Sequence, residues 1–297
     1  MTTLAAGRNR IAPSAVLELL KPITWFAPMW AFGCGVLSAA QPLRSSWAVA
    51  LVGIVLAGPL MCGASQAIND WFDRHVDAIN QPERPIPSGR IPGVWGLRIA
   101  AAWMVLAMAV ATALGPWVWV TALLGMVLAW VYSAPPLRLK GNGWWGNLAV
   151  GVSYEGLPWF AGAAVAAGTF PDSRVIWLAA LYSIATHGIM TLNDFKSVEG
   201  DLVSGVKSLP AQLGVGPACR LACAVMLVPQ LVVIGLLLRW GSPIHAGIVV
   251  LLVLAQVALM PRLLRDPKQE AIRYNATGTS ILVLGMLVAA LALRAGP

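Results

Sequence analysis

Charge is scarce in this sequence. Asp, Glu, Lys and Arg make up 11% of its 297 residues, whereas an ordinary soluble domain carries about 25%. That deficit excludes a water-facing surface of normal extent. Cysteine is limited to Cys34, Cys62, Cys219 and Cys223, with no Cys-x-x-Cys pair. Neither a zinc centre nor a disulfide frame is indicated. The first 22 residues are polar and are followed by a long span with no small-residue cleavage site, so no removable signal peptide is read.

What fills the space is hydrocarbon, at 58% of residues. The apolar runs are Ile23–Ala40, Trp47–Ile68, Ile99–Gly115, Trp117–Ser133, Gly146–Ala166, Val175–Leu192, Cys219–Leu238, Ile244–Pro261 and Thr277–Leu293. Each has the length needed to cross a bilayer as a helix, about 17–25 residues. The expectation is one all-α integral membrane domain over residues 1–297, with nine transmembrane helices in a single bundle.

With nine spans, the N-terminus shares a side with the segments near 69–98, 134–145, 193–220 and 262–276. That side holds 16 of the 20 basic residues. The others are Arg44, Arg174, Arg239 and Arg294. Basic loops stay on the cytoplasmic side, so the N-terminus is expected there, in a cell inner membrane. The same side carries all the acids but Glu155 and Asp172. The net charge of +8 therefore reflects loop asymmetry and gives no indication of nucleic-acid binding. The tryptophans divide similarly: Trp47, Trp95, Trp117, Trp119, Trp144, Trp145 and Trp240 sit near span ends as interfacial anchors. Trp25, Trp30, Trp103, Trp130 and Trp159 lie deeper, where an aromatic face can stabilise a cation.

Two long charged loops carry the chemistry. The first opens Asn69-Asp70-Trp71-Phe72-Asp73-Arg74-His75-Val76-Asp77, placing Asp70, Asp73 and Asp77 on one helical face. Three carboxylates within two turns repel one another unless a cation neutralises them, and hard oxygen donors suit Mg²⁺. The second loop repeats the idea with Asn193, Asp194, Glu199 and Asp201. Asn69, Asp70 and Asp77 each have a counterpart 124 residues later, and Arg84-Pro85-Ile86-Pro87 is echoed by Lys207-Ser208-Leu209-Pro210. This register suggests two four-helix repeats plus one helix, with the working site between halves. A solvated loop face is the competing reading of either cluster alone. Arg84, Arg138, Lys140 and Lys196 stand in the same loops and suit diphosphate oxygens. Glu155 falls inside the fifth run, where an acid is costly and marks a functional site by default. His187 is read first as a hydrogen-bonded core residue.

The stretch Asn69-Asp70-x-x-Asp73-x-x-x-Asp77, then Arg84-Pro85-Ile86-Pro87-Ser88-Gly89, then Tyr132-Ser133-Ala134-Pro135-Pro136-Leu137-Arg138-Leu139-Lys140 resembles the UbiA superfamily of intramembrane prenyltransferases. Asp77-Ala78-Ile79-Asn80-Gln81-Pro82, Lys196-Ser197-Val198-Glu199-Gly200-Asp201 and Val206-Lys207-Ser208-Leu209-Pro210 look like its chlorophyll synthase branch, most of all the bacteriochlorophyll-making members.

The resemblance implies a Mg²⁺-dependent enzyme that esterifies the propionate of bacteriochlorophyllide with geranylgeranyl or phytyl diphosphate. It implies Asp70, Asp73, Asp194, Lys140 and Arg84 as catalytic residues. Metal would be held by Asp70, Asp73, Asp77, Asp194, Glu199 and Asp201. Asn69, Arg74, Tyr132, Ser133, Arg138, Lys140, Asn193 and Lys196 would contact substrate. It also implies a place in the cytoplasmic membrane or a photosynthetic intracytoplasmic membrane, beside other pigment-biosynthesis or photosystem-assembly proteins. One departure stands: where many members carry Asp-x-x-x-Asp in the second motif, Ser197 occupies the position four before Asp201. Two alternatives stay open, namely another acceptor (chlorophyllide, an aromatic acid or a phenol) and a membrane transporter.

Overall fold

The computed structural model describes residues 11–40 and 43–295. Arg8 and Arg10, counted above among the basic residues, lie outside them. Helices follow the apolar runs: α1 Pro13–Leu19, α2 Phe26–Ser38, α3 Leu43–Val55, α4 Gly63–Asn80, α5 Trp95–Leu114, α6 Pro116–Ser133, α7 Gly143–Gly151 and α8 Leu157–Ala167. Then come α9 Ser173–Asp194, α10 Val198–Ser204, α11 Leu209–Leu213, α12 Val215–Arg239, α13 Pro243–Arg265 and α14 Pro267–Ala295. Several start with proline in the first turn, where the missing N–H costs nothing. Gly115, at φ +117°, turns α5 directly into α6 in a conformation that an L side chain resists.

Among the described residues, seven helices are long and apolar enough to cross a membrane, one of them the unbroken stretch Trp47–Asn80. The two other expected spans differ in form. The first is the shorter apolar helix α2. The fifth is the continuous stretch α7–α8, in which α7 passes into α8 through a π-helical turn, Val152–Gly156, that carries Glu155. A second π-helical stretch, Leu56–Cys62, joins α3 to α4. Proline explains both π-helical stretches: Pro59 and Pro158 supply no N–H to the helical ladder, and the backbone widens locally to accommodate them.

The bundle is built outside-in. Large apolar side chains such as Val105, Ile244 and Leu251 point outward, where lipid replaces water. Small ones such as Ala31, Ala64, Ala107, Ala163, Ala222 and Ala289 fill the seams, which lets helix backbones approach closely. Trp159 stacks on Tyr182 with ring centroids 5.6 Å apart, and its indole N–H donates to Ser38 Oγ. One buried polar pair stands out. Gln230 of α12 and Gln256 of α13 are fully buried and exchange amide hydrogen bonds at 3.1 and 2.9 Å. Truncating one member orphans the other, so Gln230→Leu is expected to cost about 1–3 kcal/mol. The Gln230→Leu/Gln256→Leu pair should recover most of that loss. Thermal unfolding in detergent would decide, and an equally unstable double variant would contradict this account.

Candidate active site

The charged loops gather at one end of the bundle. Lys207 backbone atoms bridge to Asn142 in parallel, joining the α6–α7 loop to the α10–α11 loop. Arg90 makes a two-pronged salt bridge to Glu18 of α1 at 2.6 and 2.8 Å, which fixes the α4–α5 loop. Sequence alone offers no role for Arg90 beyond positive charge. Its fork geometry gives it this one.

Each first-motif carboxylate meets cations of the chain. Lys21 Nζ lies 2.5 Å from Asp70 Oδ1. Arg84 Nη1 lies 3.4 Å from the same oxygen and 2.7 Å from Asp77 Oδ2. One guanidinium thus bridges acids two turns apart, as the shared helical face predicts. Asp73 is held on its other flank by Arg138 at 3.1 Å and Lys140 at 2.6 Å. Burial holds the Lys140 ammonium below its ordinary pKa, with the hydrogen bond to Asp73 working against that. Asp70 keeps one oxygen free: Oδ2 is buried and has no hydrogen-bond partner.

The second motif is arranged differently. Asp194 Oδ2 accepts from Asn147 at 3.2 Å, and Asn193 Oδ1 accepts from Asn275 of α14 at 3.1 Å. Asp201 takes a hydrogen bond from Ser197 at 3.1 Å. Glu199 is exposed and paired with Lys268, whose hydrogen bond lowers the carboxyl pKa. Lys196 is exposed. Arg74 turns back on its own helix, its guanidinium 4.3 Å from the Trp71 ring centroid and donating to the Trp71 carbonyl. Ser133 is buried, its Oγ without a partner. Among the described residues, no three Asp, Glu, His or Cys side chains cluster tightly enough to form a metal cage by themselves.

Behind this charged end lies a cavity of about 900 Å³, at the upper end of the 300–1,000 Å³ usual for ligand pockets. Asn69 and Asn193 border it, as do Gln66 and Tyr132. Both π-helical turns contribute walls, through Leu56, Met61 and Cys62 on one side and Ser153, Tyr154 and Glu155 on the other. The two turns also touch: Cys62 Sγ lies 3.3 Å from Tyr154 Oη, which accepts from Gln66 Nε2 at 2.8 Å. The rest of the lining is mostly apolar, with Phe32, Val118, Leu157 and Val283 among it. Of the deeper tryptophans, Trp30 faces this space. His187 does not border it; it is buried beside Trp144, with ring centroids 6.0 Å apart.

Paired acids and cations at one end of the bundle, beside a largely apolar chamber bordered by Asn69 and Asn193, can accommodate an anionic head on a hydrocarbon tail. The UbiA prenyltransferase family matches residues 27–284. This chain is a UbiA-family prenyltransferase. Its relatives include the bacteriochlorophyll synthase 33 kDa chain of Cereibacter sphaeroides, 54% identical over 95% of this chain and 93% of that one. The chloroplastic chlorophyll synthase of Arabidopsis thaliana is 42% identical over 93% of this chain and 73% of its own length. A solved UbiA homolog from Archaeoglobus fulgidus, bound to GPP and Mg²⁺, shares the fold at a TM-score of 0.67. It is 18% identical and covers 94% of this chain and 96% of its own.

Three site residues escape sequence reading in this family member: Lys21, Asn147 and Asn275. Lys21 is the most informative. Its backbone is left-handed, at φ +48°, and so is that of Arg138 at φ +38°. Non-glycine residues resist this conformation, and such strain concentrates at functional sites. Here it aims one cation at Asp70 and the other at Asp73. Lys21→Ala is expected to lower prenyl transfer about tenfold or more, through lost charge at the site. Rates on purified variant protein with an unchanged melting temperature would check it; an unchanged rate would leave Lys21 a structural role only.

Proposed function

We propose that this prenyltransferase esterifies the propionate of bacteriochlorophyllide with geranylgeranyl or phytyl diphosphate. The observation that carries this reading is the division of the site. Its charged end fits a diphosphate and a carboxylate, and its apolar chamber fits the tail. The 54% identity to a bacteriochlorophyll synthase supports the choice of acceptor.

The residues present fit a hard divalent cation. Asp70 offers a free buried oxygen, and Asp73, Asp77, Asp194 and Asp201 supply further oxygen donors in the two motif loops. When bound, Mg²⁺ would neutralise charge developing on the leaving diphosphate. The chain's own part is then clear. Lys21, Arg84, Arg138 and Lys140 are placed to move from the carboxylates onto diphosphate oxygens and stabilise the same charge. The allylic C–O bond breaks to leave a carbocation, which the acceptor carboxylate captures as an ester. That carboxylate is already ionised at neutral pH, so no general base is needed. The apolar walls keep water from the cation.

The wider arrangement follows the same reading. Nine spans are supported by α2 and by the continuous stretch α7–α8, added to the seven long helices. Two halves are supported by Asn69 and Asn193, which are 124 residues apart in the repeated register and border one cavity. The basic end of the bundle would face the cytoplasm.

The test is ester formation from bacteriochlorophyllide, geranylgeranyl diphosphate and Mg²⁺ in membranes carrying the protein. Ester should form, and a chelator should remove it, with Mg²⁺ restoring it. Folded protein that leaves bacteriochlorophyllide untouched while prenylating chlorophyllide or a phenol would overturn the acceptor assignment.

A further inference from the structure

Glu155 is the one acid of the cavity wall that the reaction above does not use. It lies on the π-helical turn between α7 and α8, about 12 Å along the helix at 1.5 Å per residue from Asn147, which contacts Asp194. This puts it about two turns in from the charged end. The turn is pressed onto α9 by its flanking glycines. A Cβ on Gly151 would collide with the Ser183 carbonyl oxygen, and one on Gly156 would come within 2.6 Å of Ser183 Oγ. With that side against α9, Ser153, Tyr154 and Glu155 border the cavity. Tyr154 is engaged by Gln66 and Cys62. Glu155 is only 4% exposed, and its Oε2 has no hydrogen-bond partner.

An unmet polar atom at this depth is costly, and a prenyl tail offers it nothing because the tail is pure hydrocarbon. Oε2 itself is buried, and rotation of the carboxyl turns it toward the cavity that the residue borders, where the group that can satisfy it belongs to the other substrate. A flat acceptor large enough to share this chamber, held by its carboxylate at the charged end, presents its far rim to the interior. On a bacteriochlorophyllide that bears an acetyl group, the carbonyl remote from the propionate is that acetyl ketone, which accepts hydrogen bonds. Resting on the acceptor class argued above, we propose that Glu155 is an acceptor-binding residue, its carboxyl donating a hydrogen bond to a carbonyl on the macrocycle rim.

The test uses the full-length protein in detergent or nanodiscs, with Glu155→Leu and Glu155→Gln. Two quantities are read: bacteriochlorophyllide binding by fluorescence quenching without donor, and KM for each substrate in ester formation. Glu155→Leu should weaken acceptor binding and raise acceptor KM about tenfold, as loss of one hydrogen bond would. KM for geranylgeranyl diphosphate should stay unchanged, which also reports an intact fold. Glu155→Gln keeps a donor of similar size and should stay within about threefold of wild type. Equal acceptor affinity in wild type and Glu155→Leu overturns the proposal, as does a Gln variant as weak as Leu, since charge would then be the operative property. A shift confined to donor KM overturns it too, by placing Glu155 against the prenyl chain. A wild type that binds no tetrapyrrole and esterifies none fails at the acceptor assignment, an outcome distinct from all of these.

Discussion

Asp70→Ala is expected to abolish prenyl transfer, lowering single-turnover ester formation by about a thousandfold or more. Several roles converge on this side chain. It offers the one first-motif oxygen that is buried and unpaired, and its other oxygen holds both Lys21 and Arg84. Alanine removes the donor and releases both cations, and Arg84 is left with Asp77 alone. The cost falls on charge stabilisation in the transition state, so substrate binding should suffer less than turnover. Asp70→Asn keeps the volume and one oxygen but loses the charge, and a loss of about a hundredfold is expected. Glu199→Ala supplies the contrast. That carboxylate is exposed and paired only with Lys268, and surface pairs contribute little; activity should remain within about twofold of wild type. The assay is ester formation on purified variants with matched melting temperatures. A Glu199 variant as inactive as Asp70→Ala would mean that α10 swings over the site during the reaction.

The expected contrast between Asp70 and Glu199 follows from how differently the chain carries the two positions. The aspartates of the first loop were legible because spacing on a helix is geometry: i, i+3 and i+7 share a face whatever surrounds them. Arg84 lies beyond the end of α4 and by spacing reads only as a basic residue of the same loop; its bridge between Asp70 and Asp77 is visible only in the structure. Glu199 was grouped with them on proximity in sequence, but the chain leaves α9 at Asp194 and re-forms as α10, so helical phase is lost between them. Lys21, Asn147 and Asn275 were invisible for a related reason. Each reaches its partner from a distant segment, 49 residues away for Lys21 and Asp70, and nothing local in the sequence announces such a contact.

The fold divides along similar lines. Long apolar runs fixed the helices, since a bilayer leaves few other options. The π-helical turns were not legible. Proline at 59 and 158 warns of a break, but whether the helix kinks, stops or widens depends on what packs against it. At Val152–Gly156 that neighbour is Ser183 of α9. Reading the fifth run as an ordinary helix therefore found Glu155 but not why it faces the cavity.

Glycine at a helix crossing gives the second large effect. Gly35 of α2 and Gly162 of α8 face one another's backbones. A Cβ on Gly35 would strike the Trp159 carbonyl oxygen, and one on Gly162 would strike the Phe32 carbonyl oxygen. The obstruction is reciprocal and made of main chain, so no flexible side chain can yield; the helices themselves must part. Gly35→Ala is expected to cost about 3 kcal/mol, the upper part of the usual overpacking range. For a chain of this size that lowers the melting temperature by about 6–12 °C. Gly33→Ala is the control on the same helix, because a Cβ there meets nothing within 4 Å. It should be neutral or gain up to about 1 kcal/mol from helix propensity. Thermal unfolding followed by tryptophan fluorescence separates the two, and equal behaviour would show that the α2–α8 seam is not tight. The seam also positions function. Ala27, Pro28 and Trp30 on α2 and Leu157, Pro158 and Ala161 on α8 all border the cavity. Forcing the helices apart moves opposite walls of one chamber, so prenyl transfer should fall together with stability in Gly35→Ala and survive in Gly33→Ala.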